Sequence, residues 1–217
     1  MRFLVTGCSR SGTQYAARLW SELGIPCGHE TLFNILSLRP GDPAPRLDDP
    51  KLKGDASFLA VPFLESLPAG TVVLHQVRQP LEVIRSHMGI RFFSELRESS
   101  PYLAENHLDF LGVIERGCPE IFRERDESAR CARYWVRWNQ LAELAEKIPG
   151  LDYLRYRLED LDAGLLERLL ARIGLAVPRE RIEAALLAVP RDENHRPRDE
   201  SITLSQIRPR ALRDALL

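Results

Sequence analysis

Seven residues near the start of the chain, Gly7-Cys-Ser-Arg-Ser-Gly-Thr13, restrict its fold more than any other stretch. Before them Phe3 to Thr6 is a short apolar run that suits a buried strand. After them Tyr15, Ala16, Leu19, Trp20 and Leu23 fall at helical spacing until Gly24 stops the helix. A strand that passes through a glycine-bounded loop straight into a helix leaves backbone N–H groups pointing outward at the positive end of the helix dipole. The glycines let the backbone curl around an oxyanion, because no Cβ stands in the way. Ser9, Ser11, Gly12, Thr13 and Gln14 offer backbone or side-chain donors, and Arg10 offers a fixed positive charge on a planar fork. The expected occupant is a phosphate, held by the N–H groups of residues 9–14. A plain tight turn would explain the glycines but not the cation.

The rest of the chain continues the alternation of strands and helices. Thr71 to Val77 carries Val72, Val73 and Leu74 in a row, as a parallel strand buried on both faces does. Arg78-Gln-Pro80 ends it, and a helix starts near Pro80, where a first-turn proline costs nothing. Leu151 to Tyr156 reads as a third strand, and residues 57–67, 128–147, 162–173 and 179–188 read as helices. Residues 36–54, with Pro40, Pro43, Pro45 and Pro50, read as a long surface loop, and 92–126 as mixed helical pieces. The expectation is an α/β fold, three layers α/β/α around a mainly parallel sheet, in one domain spanning 1–217.

Composition narrows the partners. The chain has 30 basic and 31 acidic side chains, for a net charge of -1, so nothing draws it as a whole to nucleic acid or an anionic membrane. Cys8, Cys27, Cys118 and Cys131 form no CxxC pair, and no histidine, cysteine or carboxylate cluster has metal-ligand spacing. Those thiols read as reduced. With neither a signal-peptide core nor a membrane-length apolar run, a cytoplasmic protein is expected.

A kinase-type P-loop, G-x-x-x-x-G-K-[ST], needs a lysine and a Mg²⁺-binding hydroxyl where this chain has Thr13 and Gln14. The cation is instead Arg10, before the second glycine. In that arrangement the loop resembles the 5′-phosphosulfate loop of sulfotransferases that use 3′-phosphoadenosine-5′-phosphosulfate (PAPS), written G-x-P-R-S-G-T-T. It departs from that pattern at Ser9 and Gln14. The resemblance implies a P-loop-like fold, PAPS as co-substrate with no metal, and a second signature, R-x-P-x-x-x-x-x-S. Arg78 to Ser86 supplies it, and in the family that pair grips the 3′-phosphate.

Transfer of a sulfuryl group also needs a base near the acceptor hydroxyl. Cys27-Gly-His-Glu-Thr31 resembles the C-G-E-E-T stretch of tyrosylprotein sulfotransferases, which makes Glu30 the base. His29 is the rival, because small-molecule sulfotransferases use histidine. Neighbours on a strand point to opposite faces, so only one of the two is expected at the site. Trp135 and Trp138 read as core before adenine platform. Arg155 to Leu161 resembles a family strand ending with Leu158 in place of a tyrosine, and Asn194 to Arg198 reads as a solvated basic segment before a phosphate flap. The resemblance covers residues 3–161 and leaves the acceptor unspecified, a small molecule or a carbohydrate. The alternatives are a nucleotide or small-molecule kinase, and a nucleotide-binding module without turnover.

Overall fold

The run Val72-Val-Leu-His-Gln-Val77 is buried at every position, as a strand covered on both faces must be. The computed structural model describes residues 1–34, 47, 49–93, 112–190, 198–208 and 214–216. In it the strands β1 (Phe3–Thr6), β2 (Cys27–His29), β3 (Gly54–Ala56), β4 (Val72–Val77) and β5 (Asp152–Arg157) form a five-stranded sheet in the order β2-β3-β1-β4-β5. The ladders are parallel, and Val5 stands opposite both Ala56 and Leu74. The fold is α/β, as the alternation of elements predicts.

The helices follow the spacing read from the sequence: α1 (Thr13–Glu22), α2 (Pro80–Gly89), α3 (Glu127–Glu143), α4 (Ala163–Arg172) and α5 (Arg179–Ala188). Asp126 and Asp162 open α3 and α4 as N-caps, each accepting a backbone N–H of the first turn. Alternate strand residues feed two cores. Phe3, Val5, Val72 and Leu74 pack with Leu19 and Trp20 of α1, Leu169 of α4 and Ile182 of α5. Leu4, Val73 and Val77 pack on the other face with Ile84 of α2 and Tyr134 and Trp138 of α3. That gives three layers. Trp138 is fully buried and its indole N–H donates to the Phe58 carbonyl at 3.0 Å, so its first reading as core holds.

One strand was not legible. Residues 36–54 read as a loop and 57–67 as a helix, yet Gly54–Ala56 is β3, between β2 and β1. Gly-Asp-Ala carries no β-branched residue. The glycine is required because a Cβ there would stand 2.4 Å from the Phe3 ring. Packing against Phe3, rather than propensity, makes this strand. Most of the proline-rich stretch, residues 35–46 and 48, lies outside the described residues, as do 94–111.

The strand order sets where a ligand can sit. From β1 the chain crosses to β2 on one side of the sheet, and from β4 it crosses to β5 on the other. The carboxyl ends of β1 and β4 therefore flank a topological switch point, the crevice where open parallel sheets bind ligands. Gly7 to Thr13 and Arg78 are the residues that leave those two ends. Among the described residues no helix is long and apolar enough to cross a membrane.

Candidate functional site

The loop leaves β1 against the neighbouring strand. A Cβ on Gly7 would stand 2.2 Å from the Gln76 carbonyl oxygen, so glycine alone fits there. Gly12 takes φ 96° as the N-cap of α1, and Arg10, a non-glycine residue, takes φ 65°. A left-handed conformation costs a residue with a Cβ about 1–2 kcal/mol, and persists only where the surroundings impose it. Here side chains from β4, α2 and Arg78 between them grip the loop at each residue from 9 to 11. Ser9 Oγ meets His87 Nε2 at 2.7 Å, and Arg10 Nε donates to Ser86 Oγ at 2.9 Å. Arg78 Nη1 donates to the Arg10 carbonyl at 3.2 Å, and Gln76 Nε2 to the Ser11 carbonyl at 2.6 Å.

This bonding corrects one expectation about the donors. The Ser11 N–H closes a turn onto the Cys8 carbonyl at 3.1 Å, so residues 9–14 do not all present their N–H groups outward. Ala16 donates back to Gly12, and the helix geometry leaves the N–H groups of Gly12, Thr13 and Gln14 open. Ser11 Oγ is fully buried with no hydrogen-bond partner, 3.2 Å from where a Gly7 Cβ would be, and so lies inside the curl. Gln14 is half-buried beside it.

Arg78 and Ser86 come to the loop together, as their spacing predicts, though both are engaged with it. Ser86 is buried against Arg10, and Arg78 reaches the Arg10 backbone. Glu82, one turn into α2, takes Arg198 Nη1 at 2.6 Å and Arg78 Nη2 at 3.7 Å. Burial and then the Arg198 charge pull Arg78 down from its ordinary value, while Glu82 and Glu159 pull it back. The Trp135 indole donates to the Arg78 carbonyl at 3.1 Å, which makes this tryptophan a brace for the strand end. Arg198 belongs to the basic segment of the tail, whose residues 194–197 lie outside the described set.

The histidine that ends β2 and the acid that follows it differ from expectation. Both reach the same place. Glu30 lies beyond the strand at φ 51°, so the alternation that would separate it from His29 no longer applies. His29 Nε2 stands 3.7 Å from Glu30 Oε1 and 3.3 Å from Thr13 Oγ1 on α1. Burial, with Asp55 adding to it, pushes the Glu30 carboxyl up to about 7, and Arg10 opposes the shift. Burial lowers His29 from its ordinary value.

Asp55, fully buried on β3, accepts the N–H groups of Thr31, Leu32 and Phe33 at 3.2–3.3 Å and thereby fixes the chain that carries Glu30. A Cβ on Gly28 would stand 2.5 Å from Asp55 Oδ1, which accounts for the glycine.

No family model, curated protein or solved structure matches the chain. The site therefore rests on its own geometry. Gln76, His87, Asp55 and Tyr156 were missed by the sequence reading. The signal for two of them was present: His75-Gln76 interrupts an apolar strand, and His87 follows Ser86 directly. Leu158 packs on the loop, its Cδ2 2.9 Å from where a Gly12 Cβ would be.

Two buried histidines give a pH prediction. His87 is held by burial, and then by the Arg10 charge, at about 3, within a cage of Phe92, Phe93 and Tyr134. His75 is held by burial at about 4, between the Tyr153 phenol at 2.8 Å and Asn139 at 2.9 Å. A histidine in an unfolded chain binds its proton near 6.5, so stability due to these rings is complete above ~6.5 and is lost as pH falls. Glu30, raised, works in the opposite direction. The direct check is an NMR titration. The ring-proton shifts of His75 and His87 should stay flat from pH 8 to pH 5, and a midpoint near 6 for either would contradict the neutral assignment.

Proposed function

We propose that this chain is a PAPS-dependent sulfotransferase on a P-loop-like fold, moving a sulfuryl group to an acceptor hydroxyl or amine. The observation that carries the reading is the meeting of three separately read segments at one switch-point crevice. The glycine loop with Arg10, the Arg78–Ser86 signature and the Glu30 carboxyl share the same edge of the sheet. On this reading the N–H groups of Gly12, Thr13 and Gln14, with Ser11 Oγ and Arg10, hold the 5′-phosphate. They also stabilise the charge that grows on the bridging oxygen as its bond to sulfur breaks. Arg78 and Ser86 serve the 3′-phosphate. Glu30 takes the acceptor's proton as the acceptor oxygen or nitrogen bonds to sulfur, leaving 3′,5′-ADP and a sulfate ester or sulfamate. A carboxyl near neutrality is suited to that role, since enough is ionised at pH 7 while it remains basic.

Thermal shift tests the reading. At a concentration about 100 times its Kd, 3′,5′-ADP should stabilise the fold by about 2.7 kcal/mol, with less from ATP and no gain on adding Mg²⁺. A preference for Mg-ATP would favour the kinase instead.

A further inference from the structure

Gln76 has no part in the chemistry proposed above, yet it is fully buried at the carboxyl end of β4. A side-chain amide in such a place is tolerated only with both of its ends bonded. Nε2 donates to the Ser11 carbonyl at 2.6 Å, and Oε1 accepts from the Tyr156 phenol at 2.5 Å. Chemistry forces that orientation. The Ser11 carbonyl can only accept, so the amide nitrogen must face it, and Oε1 is left for the phenol proton. Burial raises the Tyr156 phenol well above its ordinary value, so it stays a donor.

The consequence falls on the next residue. A trans peptide is planar, so the Ser11 C=O and the Gly12 N–H point in opposite directions. Holding the carbonyl on β4 turns the Gly12 N–H away from β4, toward the open side of the loop. Gly12 cannot decide this by itself. Glycine accepts φ of either sign, so the 11–12 peptide could flip at little cost and present its carbonyl oxygen to an anion. Ser11 Oγ, buried and without a hydrogen-bond partner, is the independent sign that the curl is built for a ligand.

We propose that Gln76, itself held by Tyr156, is a positioning residue that fixes the Ser11–Gly12 peptide so that the Gly12 N–H serves the bound anion. This rests on the reading of Gly7 to Thr13 as an anion loop.

The experiment compares wild type, Gln76→Met and Tyr156→Phe. It measures affinity for 3′,5′-ADP and for inorganic phosphate, together with the amide shifts of Gly12 and Thr13 by NMR. Gln76→Met should weaken both ligands by about 10- to 100-fold, the loss expected for one hydrogen bond to a charged group. Ligand should no longer move the Gly12 amide proton downfield, while it still moves that of Thr13. Tyr156→Phe, which keeps the fold if Gln76→Met does not, should show a smaller loss in the same pattern.

Unchanged affinity in both variants, or a Gly12 shift as large as in wild type, overturns the proposal and leaves the function intact. Wild type that binds phosphate but not 3′,5′-ADP, with the loss still seen in Gln76→Met, overturns the nucleotide and leaves the role of Gln76. Wild type that binds neither ligand overturns both.

Discussion

Glu30→Gln is expected to lower sulfuryl transfer by about 10²–10⁴-fold, the usual share of a positioned general base, and to leave 3′,5′-ADP affinity unchanged. The amide keeps the size and one acceptor oxygen of the carboxyl but cannot take a proton. Binding survives because Arg10 is held on Ser86 and Arg78 on the Arg10 carbonyl, contacts that the substitution leaves in place.

The pH profile adds a second reading of the same residue. Glu30 is held at about 7 by burial and by Asp55, so its basic form is lost as pH falls, and kcat should rise with pH through that value. Arg10 works against the shift, and Arg10→Ala should therefore move the midpoint upward. His29 sits close enough to compete, with Nε2 3.7 Å from the carboxyl. Full activity in Glu30→Gln, joined to a loss in His29→Asn, would transfer the base to the histidine.

How far the chain could be read from its residues differs between its two halves of meaning, fold and site. Apolar runs, helical spacing and, for α2, a first-turn proline located β1, β4, β5 and α1 to α5, because burial on a sheet face or a helix stripe leaves a periodic trace. β3 left none, since a glycine, a carboxylate and an alanine do the work there through close packing on Phe3 and hydrogen bonding to residues 31–33.

Around the crevice, Gly7, Arg10 and Gly12 stood out in the sequence by a tight turn or a charge, while Arg78, Ser86 and Glu30 were singled out by the resemblance. The supports were less legible. Gln76 and His87 act across 65 and 78 residues of chain, and such pairings exist only once the sheet has formed. The rule that strand neighbours diverge failed at Glu30 because β2 ends one residue earlier, at His29, and the chain turns through a left-handed residue.

Arg10 joins strain and function in one residue, and Arg10→Gly separates them. Its guanidinium donates to Ser86 and is the cation of the loop, while its backbone is held at φ 65°. Glycine removes the charge and the strain together, whereas alanine removes only the charge. The left-handed conformation costs alanine about 1–2 kcal/mol, against which glycine gives back ~0.4–1 kcal/mol through the entropy of its unfolded chain. Arg10→Gly should thus be more stable than Arg10→Ala by up to about 1.6 kcal/mol, or at most ~3–6 °C in melting temperature for a chain of this size. Both variants should lose about 10²–10³-fold in turnover, as when one donor to a developing oxyanion is removed.

Arg10→Lys sharpens the argument. It keeps the charge but not the fork that reaches Ser86, so it should recover part of the anion affinity and little of the turnover. If Arg10→Gly melted below Arg10→Ala, the left-handed residue would not be a strained one. The loop would then hold its shape by its own preference rather than by the grip of β4 and α2.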